Sequence, residues 1–181
     1  MKNRSRQQPL VEKAQKGDRD AMAAIIEENQ QNIFALAYRM TGNRDDALDI
    51  TQETFVRAME NIRRFKGKAS ISTWLYSIAA NLSRDFLRKN KNCVTVSLEE
   101  DWNPESGQSV LEDLDNSERR LLVRKAIIAL PPKMRAAFIL RYDKSLSISE
   151  IAAILHKSEG TIKAQLHEAV KRIRKILKIE E

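Results

Sequence analysis

The stretch "SISEIAAILHKSEGTIKAQLHEAVKRIRKIL", residues 147–177, decides how the rest of the chain is read. Ser147 stands three residues before Glu150, the capping-box pattern that opens a helix. A short apolar run from Ile148 to Leu155 follows, then the polar turn "HKS". Ser158 can cap a second helix running to about Leu177, with a stripe of Ile162, Leu166, Ala169, Val170, Ile173 and Leu177 at helical spacing. Two helices joined by a tight turn, the second basic and exposed on one side, have the layout of a helix-turn-helix. The stripe leaves Glu159, Thr161, Lys163, Ala164, Gln165, His167, Glu168, Lys171 and Arg172 outside. In that layout the second helix enters the major groove, where Gln can pair with adenine and Lys can reach guanine. A plain helical hairpin on a bundle surface carries the same punctuation, so the charge around it has to be weighed.

Upstream, one helix is stopped by Pro131 and Pro132, and another carries Met134, Ala137, Phe138, Leu140 and Tyr142. Residues 118–181 have a net charge of +8, and residues 1–92 have +6. Between them residues 93–117 hold no Lys or Arg and seven acids, a net −7, with Asn103, Pro104, Ser106 and Gly107 breaking any period. This stretch reads as an acidic connector between two basic helical modules. Fully extended, its 25 residues reach at most about 80 Å, roughly two turns of duplex. The modules could then engage separate sites along one helix.

In the first module, "PLVEKAQKG" reads as a short helix closed by Gly17. Asp18 can cap the next, and "NIFALAYRMTGN" keeps helical spacing to Gly42. Asn43 opens a long helix with Asp45 and Asp46 in its first turn, where the dipole favours anions. Its apolar side is Ala47, Ile50, Thr54, Ala58 and Ile62, helped by Phe55 and Leu48, and its other side shows Asp49, Gln52, Glu53 and Arg57. A loop with Gly67 between Arg63, Arg64, Lys66 and Lys68 follows. Residues 70–91, "SISTWLYSIAANLSRDFLRKNK", then read as helix. With Trp74 at zero and about 100° per residue, Ile78, Leu82, Leu75, Phe86 and Ala79 fill one arc. Asn81, Arg88, Ser77 and Arg84 fill the arc on the other side of Trp74. The tryptophan therefore sits on the seam between an apolar and a basic face. From there its ring can pack inward, or an edge can meet a nucleic-acid base by stacking.

Few breakers (five Gly and four Pro in 181 residues) favour an all-α chain of two helical domains. A net charge of +7 suits a polyanionic partner. Cys93 is the one cysteine, which excludes an intramolecular disulfide and fits a reducing cytoplasm. No apolar run is long enough to span a bilayer, so no membrane insertion is expected. His156 and His167 lack companion ligands, so neither a metal nor another cofactor is expected.

At this point "ALAYRMTGNRDDALDITQETFVRAMENIRRFKGKASISTWLYSIAANLSRDFLRK" resembles region 2 of the sigma factors of bacterial RNA polymerase. "ALPPKMRAAFILRYDKSLSISEIAAILHKSEGTIKAQLHEAVKRIRK" resembles region 4, and the short chain without a third domain is similar to the extracytoplasmic-function branch. The resemblance implies a transcription initiation factor, not an enzyme, whose partners are core RNA polymerase, promoter DNA and an anti-sigma factor. It implies that Asp49, Gln52, Glu53 and Arg57 face the polymerase. It implies that Lys66, Lys68, Ser70, Trp74, Asn81, Arg84 and Arg88 meet the minus-ten element as single strand. Ser158, Thr161, Lys163, Ala164, Gln165, His167 and Lys171 are the implied readers of the minus-thirty-five duplex. The acidic connector is implied to occupy the nucleic-acid channel of the polymerase. Members often carry Ser-Arg where this chain has Ala164-Gln165, a departure that bears on duplex preference and leaves the docking mode unchanged. Two other classes stay open on the residues alone. One is a dimeric helix-turn-helix regulator binding duplex operators. The other is a metal-dependent nuclease built on Asp45, Asp46, Asp49 and Glu53.

Overall fold

The computed structural model describes residues 2–90 and 113–178, with side chains over 7–90 and 119–178. All regular elements among the described residues are helical. The order is α1 (Lys2–Gln15), α2 (Arg19–Thr41), α3 (Arg44–Asn61), a 3-10 turn (Ile62–Arg64), α4 (Ile71–Lys89), α5 (Asp113–Ile128), α6 (Pro132–Tyr142), α7 (Ile148–Leu155) and α8 (Glu159–Leu177).

The boundaries follow from capping chemistry. Each helix start leaves N–H groups without an intrahelical partner, and a short polar side chain satisfies them. The side chains of Asp18, Asn43, Ser70, Ser147 and Ser158 cap α2, α3, α4, α7 and α8. Ser147 and Glu150 form the full capping box. Pro132 begins α6 at the first helical position, where a missing N–H costs nothing. Gly42 closes α2 with φ 78°, its N–H donating to the Tyr38 carbonyl. Two bounds differ from the sequence reading. α1 begins at Lys2, with Pro9 inside it. α5 begins at Asp113, inside the stretch read as connector. Residues 91–112, with Cys93 and most of the connector acids, lie outside the described residues.

The two helical modules read from the sequence are both present, and what the sequence leaves out is their contact: α2 and α4 of the first pack directly on α5, α6 and α7 of the second. One apolar cluster runs through both, joining Leu36, Met40, Leu75 and Ala79 to Ile139, Leu140, Ile151 and Leu155. The buried arc of α4, which packs on helices of both modules, is wider than its periodicity indicates. Beyond Ala79 it continues through Ser83, Tyr76, Leu87 and Ala80, to about 240° from Trp74 at about 100° per residue. Burial in that arc raises the Tyr76 phenol above its usual value.

Polar contacts seal the junction. Arg135, only 3% exposed, donates from Nη1 to the Met40 carbonyl and from Nη2 to those of Ile128 and Leu130. One guanidinium thereby satisfies the carboxyl ends of α2 and α5, where unpaired carbonyls and the helix dipole both favour a cation. Burial lowers Arg135 to about 10, which leaves it charged at neutral pH. Arg124 donates to the Gly42 carbonyl at 3.1 Å and lies 4.3 Å from the centre of the Tyr38 ring. Arg39 of α2 pairs with Asp143, just after α6.

Candidate nucleic-acid interface

The fold brings the 3-10 turn and the start of α4 together beside α1. Gln15 of α1 donates from Nε2 to the carbonyls of Ile62 and Phe65, at 3.0 and 2.8 Å. This clasp fixes the end of the turn, and Phe65 packs on Trp74 with ring centres 5.2 Å apart. Trp74 is half-buried. Its outward side lines an open cleft of about 350 Å³ shared with Arg57, Asn61, Arg64, Ile78 and Asn81. A cleft that combines an aromatic wall, two guanidinium groups and two amides suits an unstacked base and its phosphate.

Other residues of this group have local work as well. Arg84 donates from Nη1 to Asn81 Oδ1 at 3.2 Å. Arg88 pairs with Asp85 at 3.1 Å on an exposed surface, where such pairs are worth little and exchange readily. The Ser70 hydroxyl caps α4 by accepting from the Thr73 N–H at 3.0 Å. Its side chain is committed to the helix start and is not a free contact. Lys66 and Lys68 are exposed around Gly67, which adopts φ 66°. Together with Gln7, Gln15, Phe65 and Ser70, Lys66 lines a second hollow of about 190 Å³.

On α3, Asp49, Gln52, Glu53 and Arg57 are all exposed. Arg57 Nε donates to Glu53 Oε1 at 2.6 Å, and Arg57 also lines the Trp74 cleft. It therefore sits on the border of two faces. Asp46 is raised above its usual value by partial burial and by the charges of Asp49 and Asp45. Leu48 departs from the sequence reading: it is 38% exposed, and Val56 and Met59 are 43% and 46% exposed. At about 100° per residue Leu48, Met59, Gln52, Val56, Asp49 and Glu53 fall on one arc. Exposed apolar side chains beside acids on one helix face give a surface whose composition suits a protein partner. Helical phase alone could have found it, had Leu48 not been counted with the core.

In the second module α7 and α8 form the helix-turn-helix. His156, in the left-handed region at φ 53°, ends α7. Ser158 Oγ accepts from the Thr161 N–H at 3.1 Å, so Ser158 and Thr161 build the helix start. Thr161, Lys163, Ala164, His167 and Lys171 are exposed along one side of α8. Gln165 departs from the set: it is half-buried, and its Oε1 is shielded without a hydrogen-bond partner. Glu168 is lowered, first by its hydrogen bond from Arg172, and that pair lies at 2.8 Å. Gly160, at the α8 start, leaves open space: an added Cβ would meet only Ser158 Oγ, at 3.9 Å. No packing demand keeps a side chain off this position, so its bareness suits close approach of a ligand backbone.

Among the described residues no three His, Cys, Asp or Glu side chains converge as a metal site. No helix among them is long and apolar enough to cross a membrane.

Comparison with known proteins joins these surfaces. The family model for sigma-70 region 2 matches residues 25–93, and that for sigma-70 region 4 matches 120–173. The chain is 36% identical to the ECF RNA polymerase sigma factor SigW of Bacillus subtilis, over 93% of this chain and 95% of that protein. It is 31% identical to the RNA polymerase sigma-H factor of Pseudomonas aeruginosa, over 98% and 96%. Among solved structures, CnrH in complex with the cytosolic domain of CnrY matches with a TM-score of 0.69 at 19% identity, over 95% of this chain and 97% of that one. The sigma factor RpoE of Bartonella quintana, bound to the anti-sigma factor NepR, matches with a TM-score of 0.65 at 24% identity, over 88% and 98%.

Proposed function

The chain belongs to the extracytoplasmic-function branch of the sigma-70 family, and from that premise we propose how its surfaces divide the work. It is a transcription initiation factor that binds core RNA polymerase and directs it to promoters, in a family whose members are initiation factors rather than catalysts. We assign residues 1–92 to polymerase binding and the minus-ten element, 93–117 to a connector and 118–181 to the minus-thirty-five element. The exposed face of α3 docks on the polymerase through Asp49, Gln52 and Glu53, with Leu48, Val56 and Met59 as its apolar component. Trp74, Asn81, Arg84 and Arg88, joined by Arg64 and Phe65, hold the melted minus-ten strand. Lys163, Ala164, His167 and Lys171 meet the minus-thirty-five duplex, with Thr161 and Ser158 framing the helix start.

Opening duplex DNA costs a few kcal/mol per unstacked base step. Stacking a freed base on an aromatic ring returns roughly 1–3 kcal/mol, and cations beside it neutralise phosphate. The observation that carries this reading is the Trp74 cleft. It holds an aromatic and two guanidinium groups next to the α3 face, on a chain that also bears a helix-turn-helix. The protein works in the cytoplasm, where its polymerase is, and an anti-sigma factor regulates it, as the Bartonella quintana complex illustrates for a similar fold.

Reconstitution tests the reading. Core polymerase supplied with this chain is expected to give promoter-specific transcripts, and the Asp49→Lys/Glu53→Lys double variant to give none while keeping its helical spectrum. A chain that binds duplex operators tightly as a dimer, and that core polymerase leaves unaffected, is instead a conventional regulator.

A further inference from the structure

We infer that Gln15 and Asn29 are positioning residues for strand capture: their amides pin the two ends of the segment that joins the 3-10 turn to α4, so that Phe65 and Trp74 are in place before DNA arrives. The inference rests on the reading above in one respect, that the Trp74 cleft holds the freed minus-ten strand.

The segment from Phe65 to Ser70 has no regular structure, and Gly67 inside it takes a positive φ. Phe65 leaves the 3-10 turn in an extended conformation, φ −68° and ψ 117°, which takes its carbonyl out of the helical ladder. Gln15, the last residue of α1, spans that exit. Its Nε2 donates to the Ile62 carbonyl at 3.0 Å and to the Phe65 carbonyl at 2.8 Å, one hydrogen to each. The other end is held from α2. Ser72, in the first turn of α4, donates from Oγ to Asn29 Oδ1 at 2.7 Å, and Asn29 Nδ2 donates to the Ile25 carbonyl at 2.7 Å. Asn29 is only 3% exposed, so both halves of its amide are used where water cannot replace a lost partner. α1 is itself tied to α2, because the buried Gln7 donates from Nε2 to Glu28 Oε2 at 2.9 Å. Both anchors therefore belong to one frame.

Neither amide lines the Trp74 cleft. Gln15 acts through Phe65, whose ring packs on Trp74. Asn29 acts through Ser72, two residues before Trp74 in the same helix. A segment that became ordered only on meeting DNA would lose its conformational entropy at the moment of strand capture. A segment pinned in the free protein has already lost it on folding. The apparent affinity for the freed strand falls in proportion to the fraction of time the frame is formed. α8 packs on α5, α6 and α7 and takes no part in this frame. Loss of an anchor should therefore fall on promoter opening and spare duplex binding.

Gln15→Met and Asn29→Leu remove the hydrogen bonds while keeping side-chain size and charge, an exchange that is close to neutral for stability when the shape is kept. The first measurement needs no polymerase. In a Trp102→Phe background Trp74 is the one tryptophan. Its emission should move to the red in the Gln15→Met variant, and its quenching by acrylamide should rise. The second measurement uses core polymerase and promoter DNA carrying 2-aminopurine in the minus-ten element. Each variant should slow opening roughly tenfold, as a frame formed a tenth of the time requires, and leave closed-complex affinity within about twofold of the wild type. Helical content and melting temperature should stay near the wild-type values. Trp74 emission and quenching that do not change in Gln15→Met overturn the frame. A lowered melting temperature with opening unchanged reduces both amides to fold packing and overturns it as well. So does an equal loss of closed-complex affinity and opening, which marks general damage. A wild-type chain that opens no promoter with polymerase contradicts the sigma-factor reading instead, and the fluorescence comparison then decides whether Gln15 positions Trp74.

Discussion

α4 and α8 are both 19-residue helices with basic outer faces, yet they are buried in different ways. α4 is buried over most of its circumference, with Trp74 at the edge and Asn81 and Arg84 already hydrogen-bonded to each other. Its outer face is a walled cleft. α8 is buried along a narrow stripe of Ile162, Leu166, Ala169 and Ile173, and the side chains opposite that stripe, Lys163, Ala164, His167 and Lys171, are exposed. A freed base has two faces to stack and needs a wall, whereas a duplex offers only its base edges to a rod that fits the major groove. On the proposed reading, the difference in burial suits α4 to capturing melted DNA and α8 to reading intact DNA.

The strongest way to break the comparison is to remove what both helices depend on. Asp49→Lys with Glu53→Lys should lower polymerase affinity by at least about a hundredfold, about 2.7 kcal/mol, and silence both readers. Pull-down with core polymerase checks it, and the circular dichroism spectrum should stay unchanged. Next, Trp74→Ala should slow promoter opening with a loss of about 1–3 kcal/mol. It should leave closed-complex affinity near the wild-type value; time-resolved fluorescence of a labelled minus-ten base separates the steps. If Trp74→Ala lowers only the melting temperature, the cleft is core packing and α4 loses its distinction. Lys163→Ala should instead weaken closed-complex binding, by about 1 kcal/mol at one or two base pairs. Competition among single-base variants of the minus-thirty-five element checks this. A uniform loss across all of them would reduce Lys163 to a phosphate contact. The smallest effect is expected from Gly160→Ala, which has room for its Cβ. It should stabilise α8 by about 0.5 kcal/mol while weakening duplex binding, a sign reversal that thermal melting and gel shift together would show.

How far the sequence carries depends on where each interaction's partners lie. Caps need only residues three or four apart, so Asp18, Asn43, Ser147 and Ser158 announce their helices, and Pro131 and Gly42 mark stops. The helix-turn-helix is legible for the same reason. The seam position of Trp74 follows from helical phase, but Phe65, Asn61 and Arg64 join it only after the 3-10 turn folds back. The modules' junction left almost no local trace. Arg135 looks like one more cation in a basic stretch, and its acceptor at Met40 is a backbone carbonyl 95 residues away. Periodicity likewise leaves Tyr76, Ala80 and Leu87 outside the apolar arc, and their burial shows only in the assembled core. Gln165 shows the converse: phase puts it outside, while local packing half-buries it.

The central claim is that this chain, mounted on polymerase, opens promoter DNA and holds one freed strand against α4. Permanganate oxidation of unpaired thymines measures that directly. With core polymerase and this chain, thymines of the minus-ten element should become reactive, and with the Trp74→Ala variant much less so. Thymines that stay protected, on DNA the chain binds tightly as intact duplex without polymerase, would contradict the account.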